Sequence, residues 1–504
     1  MIRHAIVLLA MLNLGVGAGA AHTSEAPATV RIETGVVVGR SDGAVDVFKA
    51  IPFAAPPVGP LRWTPPQPAP AWRKPLDASA DGPGCPQPIK PDGKPNLGGY
   101  NGPTSEDCLT LNVFAPHRAR RAPVLVWIYG GGNIAGANTV PSYDGTAFAR
   151  DGVVVVVANY RLGALGFMAH PALTRSARLD EPIGNYGLQD QIAALKWVQR
   201  NIKAFGGNPD DVTIAGESAG GMDVLTLMAT PAARGLFEKA SVESGGGWEK
   251  PASLAEAETA GEALAKTLGL PADATSDQLR ALPADRLVVA GRFGPVVDER
   301  LIPEDYRKAF AHGDQAPVPL IIGSNDFEAS LLPAGTEAFY LAEQPEAAKT
   351  LYASETKGDA DLARLLFTDA FGGAPARWIA GKASKAAPAY LYHFTYVRVV
   401  KRSVLPGANH ASEVPYVFDS QMSVPVYKLE IQDEDRAVAR RVHSCWVAFI
   451  KTGAPVCDGG PVWPAYTPAD DRSMAFGQTV EVTQRWRKAK FDALDGLLAP
   501  DAAR

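Results

Sequence analysis

The sequence predicts an α/β protein built on a large, mostly parallel sheet with helices on both faces. Short, strongly apolar runs alternate along the chain with longer segments whose apolar residues keep helical spacing. Across 504 residues, 46% are hydrophobic and 20% charged, the balance of a packed chain and not of a disordered one. The net charge of −5 leaves no basic surplus for phosphates, so nucleic acid is not expected as a partner.

The first segment reads as an export leader. Arg3 and His4 precede the apolar stretch 5–14, and Ala18-Gly19-Ala20 fits a cleavage site after Ala20. That stretch is too short to span a bilayer and carries no cysteine for a lipid anchor. Residues 21–504 are therefore expected to form one exported domain, periplasmic or secreted, with no membrane partner. Export gives the four cysteines a structural meaning. They fall as two local pairs, Cys85 with Cys108 and Cys445 with Cys457. Three connectivities are open, and sequential pairing is expected because both loops would be short. The first bridge would restrict the unfolded chain by about 3 kcal/mol. No CxxC or His/Cys cluster has zinc-ligand spacing, so neither a metal nor another cofactor is expected.

Residues 30–54 read as short β segments ahead of a Pro-rich stretch. Strands follow at 108–114, where apolar and polar residues alternate, and at 124–129 and 153–160, which are continuously apolar. Leu188, Ile192, Leu195, Val198, Ile202 and Phe205 keep helical spacing and predict a helix over 187–205. A strand at 212–217 leads into a helix at 219–229. Further strands are expected at 239–244, 318–323 and 389–396, and helices at 434–451 and 485–498. The helix-rich stretches 252–290 and 337–371 read as insertions that form a cap.

Chemistry concentrates at VTIAGESAGG, which sets Gly216-x-Ser218-x-Gly220 between a strand and a helix. A serine hydroxyl is a weak nucleophile and needs a base, an orienter and donors for the oxyanion. A sharp strand-to-helix turn lifts Ser218 above the sheet edge and puts the Ala219 N–H at a helix N-terminus. Upstream, the strand at 124–129 empties into Gly130-Gly131-Gly132, whose bare N–H groups suit the same oxyanion. Neither GxGxxG nor GxxxxGK[ST] fits this loop, which disfavours nucleotide binding. The base and its orienter must come later, the acid before the histidine. His410 is the candidate base, since it lies in the polar loop LPGANHASEVPYVF that follows a strand. Asp326 and Glu328 follow the strand at 318–323, and position leaves both open as the acid.

With these residues in place the chain resembles the type B carboxylesterase family, the cholinesterase-like branch of the α/β-hydrolases. The likeness spans essentially the whole mature chain, through IPFAAPPVGPLRW, SEDCLTLNVFAP, VLVWIYGGG, NYRLGALGF, VTIAGESAGG, ESGG, FGPVVD, GSNDFEA and GANHASEVPYVF. It implies the α/β-hydrolase fold and a serine esterase that hydrolyses small-molecule carboxylic esters through an acyl-enzyme. The family's acid is a Glu five residues past the Gly that ends its strand, which from Gly323 is Glu328. The catalytic set it implies is Ser218, Glu328 and His410, with oxyanion donors at Gly131, Gly132 and Ala219. It also implies a first disulfide between Cys85 and Cys108. Glu217 and Ser244 match positions that support the triad by hydrogen bonding, with plain packing as the other reading. An acyltransferase or amidase would use the same triad. A non-catalytic binding protein on this fold is the remaining alternative, and such relatives lose the Ser or the His, both kept here.

Three departures stand out. The loop between Cys85 and Cys108 lacks the Trp that stacks on choline in cholinesterases, and its only aromatic residue is Tyr100. Asn133 stands where many relatives carry an aromatic residue, which suggests a more polar pocket rim. Glu243 in ESGG replaces the usual Gln, and the sequence suggests no effect for it.

Overall fold

The run at 153–157 is wholly apolar because it has no solvent face. In a computed structural model, which describes residues 26–248, 250–288, 291 and 293–499, Val154–Ala158 is an inner strand and Val153 to Val157 are fully buried. The expected leader lies outside the described residues. The main sheet has 13 strands. Along its principal path the order is Ala26–Ile32, Gly35–Ser41, Val45–Pro52, Thr110–Pro116, Val154–Ala158, Ala122–Ile128, Gly207–Glu217, Lys239–Glu243, Leu320–Asn325, Ala389–Phe394, Arg472–Phe476 and Val480–Gln484. Pairing is parallel from Val154–Ala158 through Arg472–Phe476 and antiparallel toward both edges. The parallel run needs both faces covered by helices, which is why its strands read as unbroken apolar segments.

The expected elements are present, with shifted ends. The first long helix is Tyr186–Asn201, and a 3-10 turn, Ile202–Phe205, carries the apolar spacing on to Gly206 at φ 81°. Strand Gly207–Glu217 starts five residues before the expected 212, and helix Ala219–Ala229 has the expected bounds. The hairpin Arg472–Phe476 with Val480–Gln484 was not expected, because its outer strand is half exposed and mostly polar. Helix Ala374–Ala383 was also missed, since its small residues show little apolar contrast.

Each insertion breaks into short helices at its prolines and glycines. The first holds Leu254–Thr267, Ser276–Arg280 and Ala284–Leu287. Gly269, Pro271 and Pro283 fall between them, and side-chain capping boxes start the first two. Leu264, Leu279 and Leu287 pack with Trp63, Leu165 and Met168 in a cluster separate from the main core. The second insertion builds its own cluster around Leu341, Tyr352 and Leu366, closed by Phe491 and Leu494 of helix Lys488–Leu498.

Two disulfides join Cys85 to Cys108 and Cys445 to Cys457, the sequential pairing. Beneath the site, Arg161 makes a two-pronged pair with Asp190 on helix Tyr186–Asn201. Nε donates to Oδ2 and Nη2 to Oδ1, each at 2.8 Å, and both residues are buried. Removing one partner leaves the other charge uncompensated inside the protein. Asp190→Ala is expected to lower the unfolding free energy by about 3–5 kcal/mol, read from denaturant curves. A loss below about 1 kcal/mol would show that the guanidinium reaches water or another acceptor.

Candidate active site

Strand Gly207–Glu217 lies inside the parallel run and ends at Ser218. Ser218 sits at φ 56° and ψ −127°, and the next residue opens helix Ala219–Ala229. Such a backbone costs a serine on the order of 1–3 kcal/mol and persists only where its surroundings enforce it. The Ser218 N–H donates to Glu243 O at 2.8 Å, and the Met222 N–H donates to Ser218 O at 3.0 Å. Residue 220 must be glycine, because a Cβ there would lie 2.1 Å from Ile128 O. The turn leaves Ser218 half-buried between the buried Glu217 and Ala219. The Ala219 N–H belongs to the first helical turn, whose donors have no helical acceptor.

The glycines after strand Ala122–Ile128 come up against this turn. An added Cβ on Gly130 would lie 2.8 Å from Ser218 Cβ. Gly131 has φ 106°, and a Cβ there would lie 2.2 Å from Ala135 O. The Ile134 and Ala135 N–H groups donate to Gly131 O at 3.2 and 3.1 Å and close the bend. Gly130 thus packs its backbone directly on the serine, and the bend at Gly131 and Gly132 follows it without side chains.

His410 arrives on a loop zipped to the segment after strand Leu320–Asn325. Phe327 N–H donates to Ala408 O at 3.0 Å, Asn325 Nδ2 to Asn409 O at 2.7 Å, and His410 N–H to Ser330 Oγ at 2.9 Å. The ring Nδ1 lies 2.5 Å from Glu328 Oε2. The other oxygen of Glu328 accepts from Ser244 Oγ at 2.6 Å and from the Asn325 N–H at 2.7 Å. Glu328 is fully buried, and Ser244, at φ 49°, bonds it directly. Asp326 points elsewhere: its Oδ1 accepts the Ala408 N–H at 2.6 Å and ties down the histidine loop. Of the two acids left open by position, Glu328 is the one at the imidazole.

His410 Nε2 makes no hydrogen bond and lies 3.0 Å from Glu217 Oε1, so it faces that carboxylate and is not bonded to Ser218. Burial lowers the imidazole pKa, but Glu217 and Glu328 outweigh it and hold the value well above 6.5. Phe371 meets the ring edge-on at 5.7 Å between centroids. Glu413, three residues past His410, was missed in the sequence, although one helical turn from a candidate histidine is a readable spacing. Asn325 Nδ2 donates to it, while its other oxygen is buried without a partner.

The departures resolve differently. Tyr100 is buried, accepts the Gly84 N–H at 3.0 Å and donates to Pro103 O at 2.5 Å, so it shapes the disulfide loop. Asn133 does not line a polar rim. It is buried, and its Nδ2 donates to Asp223 Oδ1 at 3.1 Å. Four of the five other described histidines make structural contacts. His170 caps a short helix, His117 pairs with Asp46, His393 stacks on Trp486 and His443 contacts Val417 O, while His312 ends the helix Tyr306–His312.

Glu243 is fully buried, and neither carboxylate oxygen has a partner. It pairs in register with Glu217. Burial first, then the charges of Glu413 and Glu217, raise its pKa well above 4.5. The folded protein therefore keeps a proton here at pH values where the unfolded chain has lost it. This group's contribution to stability falls as pH rises above 4.5. Glu243→Gln cannot titrate, so its Tm gain over the parent should be larger at about pH 8 than at about pH 5. Calorimetry giving the same Tm difference at both pH values would contradict the protonated state.

Comparison with known proteins places this geometry. The pattern of the carboxylesterase family matches residues 26–357 and 336–494. The chain is 38% identical over 471 residues to the para-nitrobenzyl esterase of Bacillus subtilis (strain 168), covering 87% of this chain and 92% of that protein. It is 35% identical over 489 residues to the fumonisin B1 esterase of Sphingopyxis macrogoltabida, covering 92% and 88%. A solved PNB esterase superposes with a TM-score of 0.81 at 33% identity, over 92% of this chain and 99% of that one. Sequence and fold agree, and the chain belongs to the carboxylesterase family, enzymes that hydrolyse carboxylic esters.

Proposed function

We propose that residues 21–504 form one exported serine carboxylesterase unit that works through an acyl-enzyme on Ser218. The observation that supports the reading is a strained serine whose neighbour Glu217 faces Nε2 of an imidazole held at Nδ1 by a buried glutamate. Ser218 Oγ attacks the ester carbonyl and gives its proton to His410 Nε2. To do so the ring, anchored by Glu328, gives up to solvent the proton that faces Glu217 and turns its neutral Nε2 to the adjoining serine. The N–H groups of Gly131, Gly132 and Ala219 hold the tetrahedral oxyanion, each donor worth about 3 kcal/mol. Glu217 and Glu328 stabilise the imidazolium, which protonates the departing alcohol. Water then adds to the acyl carbonyl as His410 takes its proton, and as the acyl–Oγ bond breaks the imidazolium returns that proton to Ser218 Oγ and the acid departs. Ser244 holds Glu328 in place.

Export is supported by the leader-like first 20 residues and by two disulfides. No helix among the described residues is long and apolar enough to cross a membrane. The relatives act on para-nitrobenzyl esters and fumonisin B1, as their names state, and the substrate proposed here is likewise a small-molecule ester. Choline esters are disfavoured, since Tyr100 is committed within its own loop.

Ser218→Ala should give folded protein without esterase activity on a p-nitrophenyl ester panel. Retained activity would remove the nucleophile assignment. Glu328→Gln should lower kcat by about 10³ or more, because the imidazole loses its orienting charge. Asp326→Asn, which touches only the loop backbone, should cost far less. The reverse order of losses would exchange the roles of the two acids.

A further inference from the structure

The oxyanion donors proposed above come from two separate elements, the Gly131-Gly132 loop and the start of helix Ala219–Ala229. Catalysis needs their spacing held within fractions of an ångström. A side-chain bridge joins these two elements. Asn133 directly follows the glycines and sits at φ 57°, a backbone that asparagine tolerates well. Its Nδ2 donates to Asp223 Oδ1 at 3.1 Å. Asp223 lies one helical turn beyond Ala219 on the same helix. Gln191, from helix Tyr186–Asn201, donates Nε2 to Asp223 Oδ2 at 2.6 Å. On the loop side, Asn133 Oδ1 lies 3.2 Å from Tyr160 Oη, and the Asn133 carbonyl accepts the Gly163 N–H at 2.7 Å.

We infer that the Asn133–Asp223–Gln191 chain is a positioning device that sets the distance between the oxyanion loop and the nucleophile helix. This rests on the serine-esterase reading and assigns these three residues a role in it. The energetics argue against a merely stabilising purpose. Asp223 is fully buried and is held by two neutral amides. Burial raises its pKa to about 7, the mark of a carboxylate in an unfavourable setting. Apolar residues of equal volume would fill this space at less cost to stability. What they could not supply is a directional link between loop and helix.

The test uses Asn133→Gly, which keeps the positive φ but removes the amide, and Asp223→Leu, which fills the space without accepting hydrogen bonds. Each should lower kcat on p-nitrophenyl acetate by about 10- to 100-fold, with KM within about threefold, since loss of a whole oxyanion donor costs about 10²–10³. Affinity for an aryl boronic acid, whose serine adduct carries an oxygen in the same donors, should fall in parallel. The double variant should be no slower than the slower single one, because both break one bridge. Asp223→Asn should recover much of the loss, as a turned Gln191 amide can present its unpartnered Oε1 to the new Nδ2. Tm is measured alongside. A fall in Tm with kcat within twofold of the parent would overturn the inference, and so would additive losses in the double variant. If Asp223→Leu fails to fold, Asn133→Gly decides alone. Ser218→Ala in the same assay separates the layers. Its retained activity would sink the esterase reading and this inference together. A dead Ser218→Ala beside a fully active Asn133→Gly would sink the bridge only.

Discussion

At Ser218 three stretches of backbone meet with almost nothing between them. The end of strand Gly207–Glu217, the loop after strand Ala122–Ile128 and the first turn of helix Ala219–Ala229 share one small volume. A single methyl at 220 would collide with Ile128 O at 2.1 Å. This close approach goes with the positive-φ turn at the serine and with the positive φ of Gly131 and Gly132 in the facing loop. The parallel sheet exists in service of that contact, since adjacent strands in register are what bring the two carboxyl ends level.

Around this turn the electrostatics are unusual. Glu217, Glu243, Glu328 and Glu413 are all buried near one another, Glu217 and Glu328 flank the imidazole, and among the described residues no arginine or lysine pairs with the four. Glu328 accepts from two donors besides the ring, Ser244 Oγ and the Asn325 N–H. Glu243 has no donor and stays protonated at a higher pH. Glu328, just past its strand, thus has hydrogen-bond donors at its carboxylate, and Glu243 has none among the described residues.

The departures from the family pattern gain sense once side chains are placed. Asn133, expected at a polar rim, turns inward to Asp223, so the pocket mouth gains no amide from it. Tyr100, the only aromatic residue between the first two cysteines, spends its hydroxyl on Gly84 and Pro103. Both residues serve the backbone around the site, and neither is offered to a substrate.

The sequence alone determined the parallel sheet and the strand-to-helix turn at Ser218, and it favoured the sequential cysteine pairing that the disulfides show. These rest on local signals: apolar runs such as 153–157, a glycine on each side of a serine, and short spacings between thiols. It missed the hairpin Arg472–Phe476 with Val480–Gln484, where a half-exposed edge strand lacks apolar contrast. It left Asp326 and Glu328 equal until a family likeness chose between them. Only the tertiary structure decided what Asp326, Glu413, Asp223 and Asn133 bond to, and that His410 Nε2 faces Glu217. The reason is physical. A turn or strand is dictated by neighbours a few residues away. The partners of a buried carboxylate include donors from distant segments, as Ser244, 84 residues away along the chain, is for Glu328.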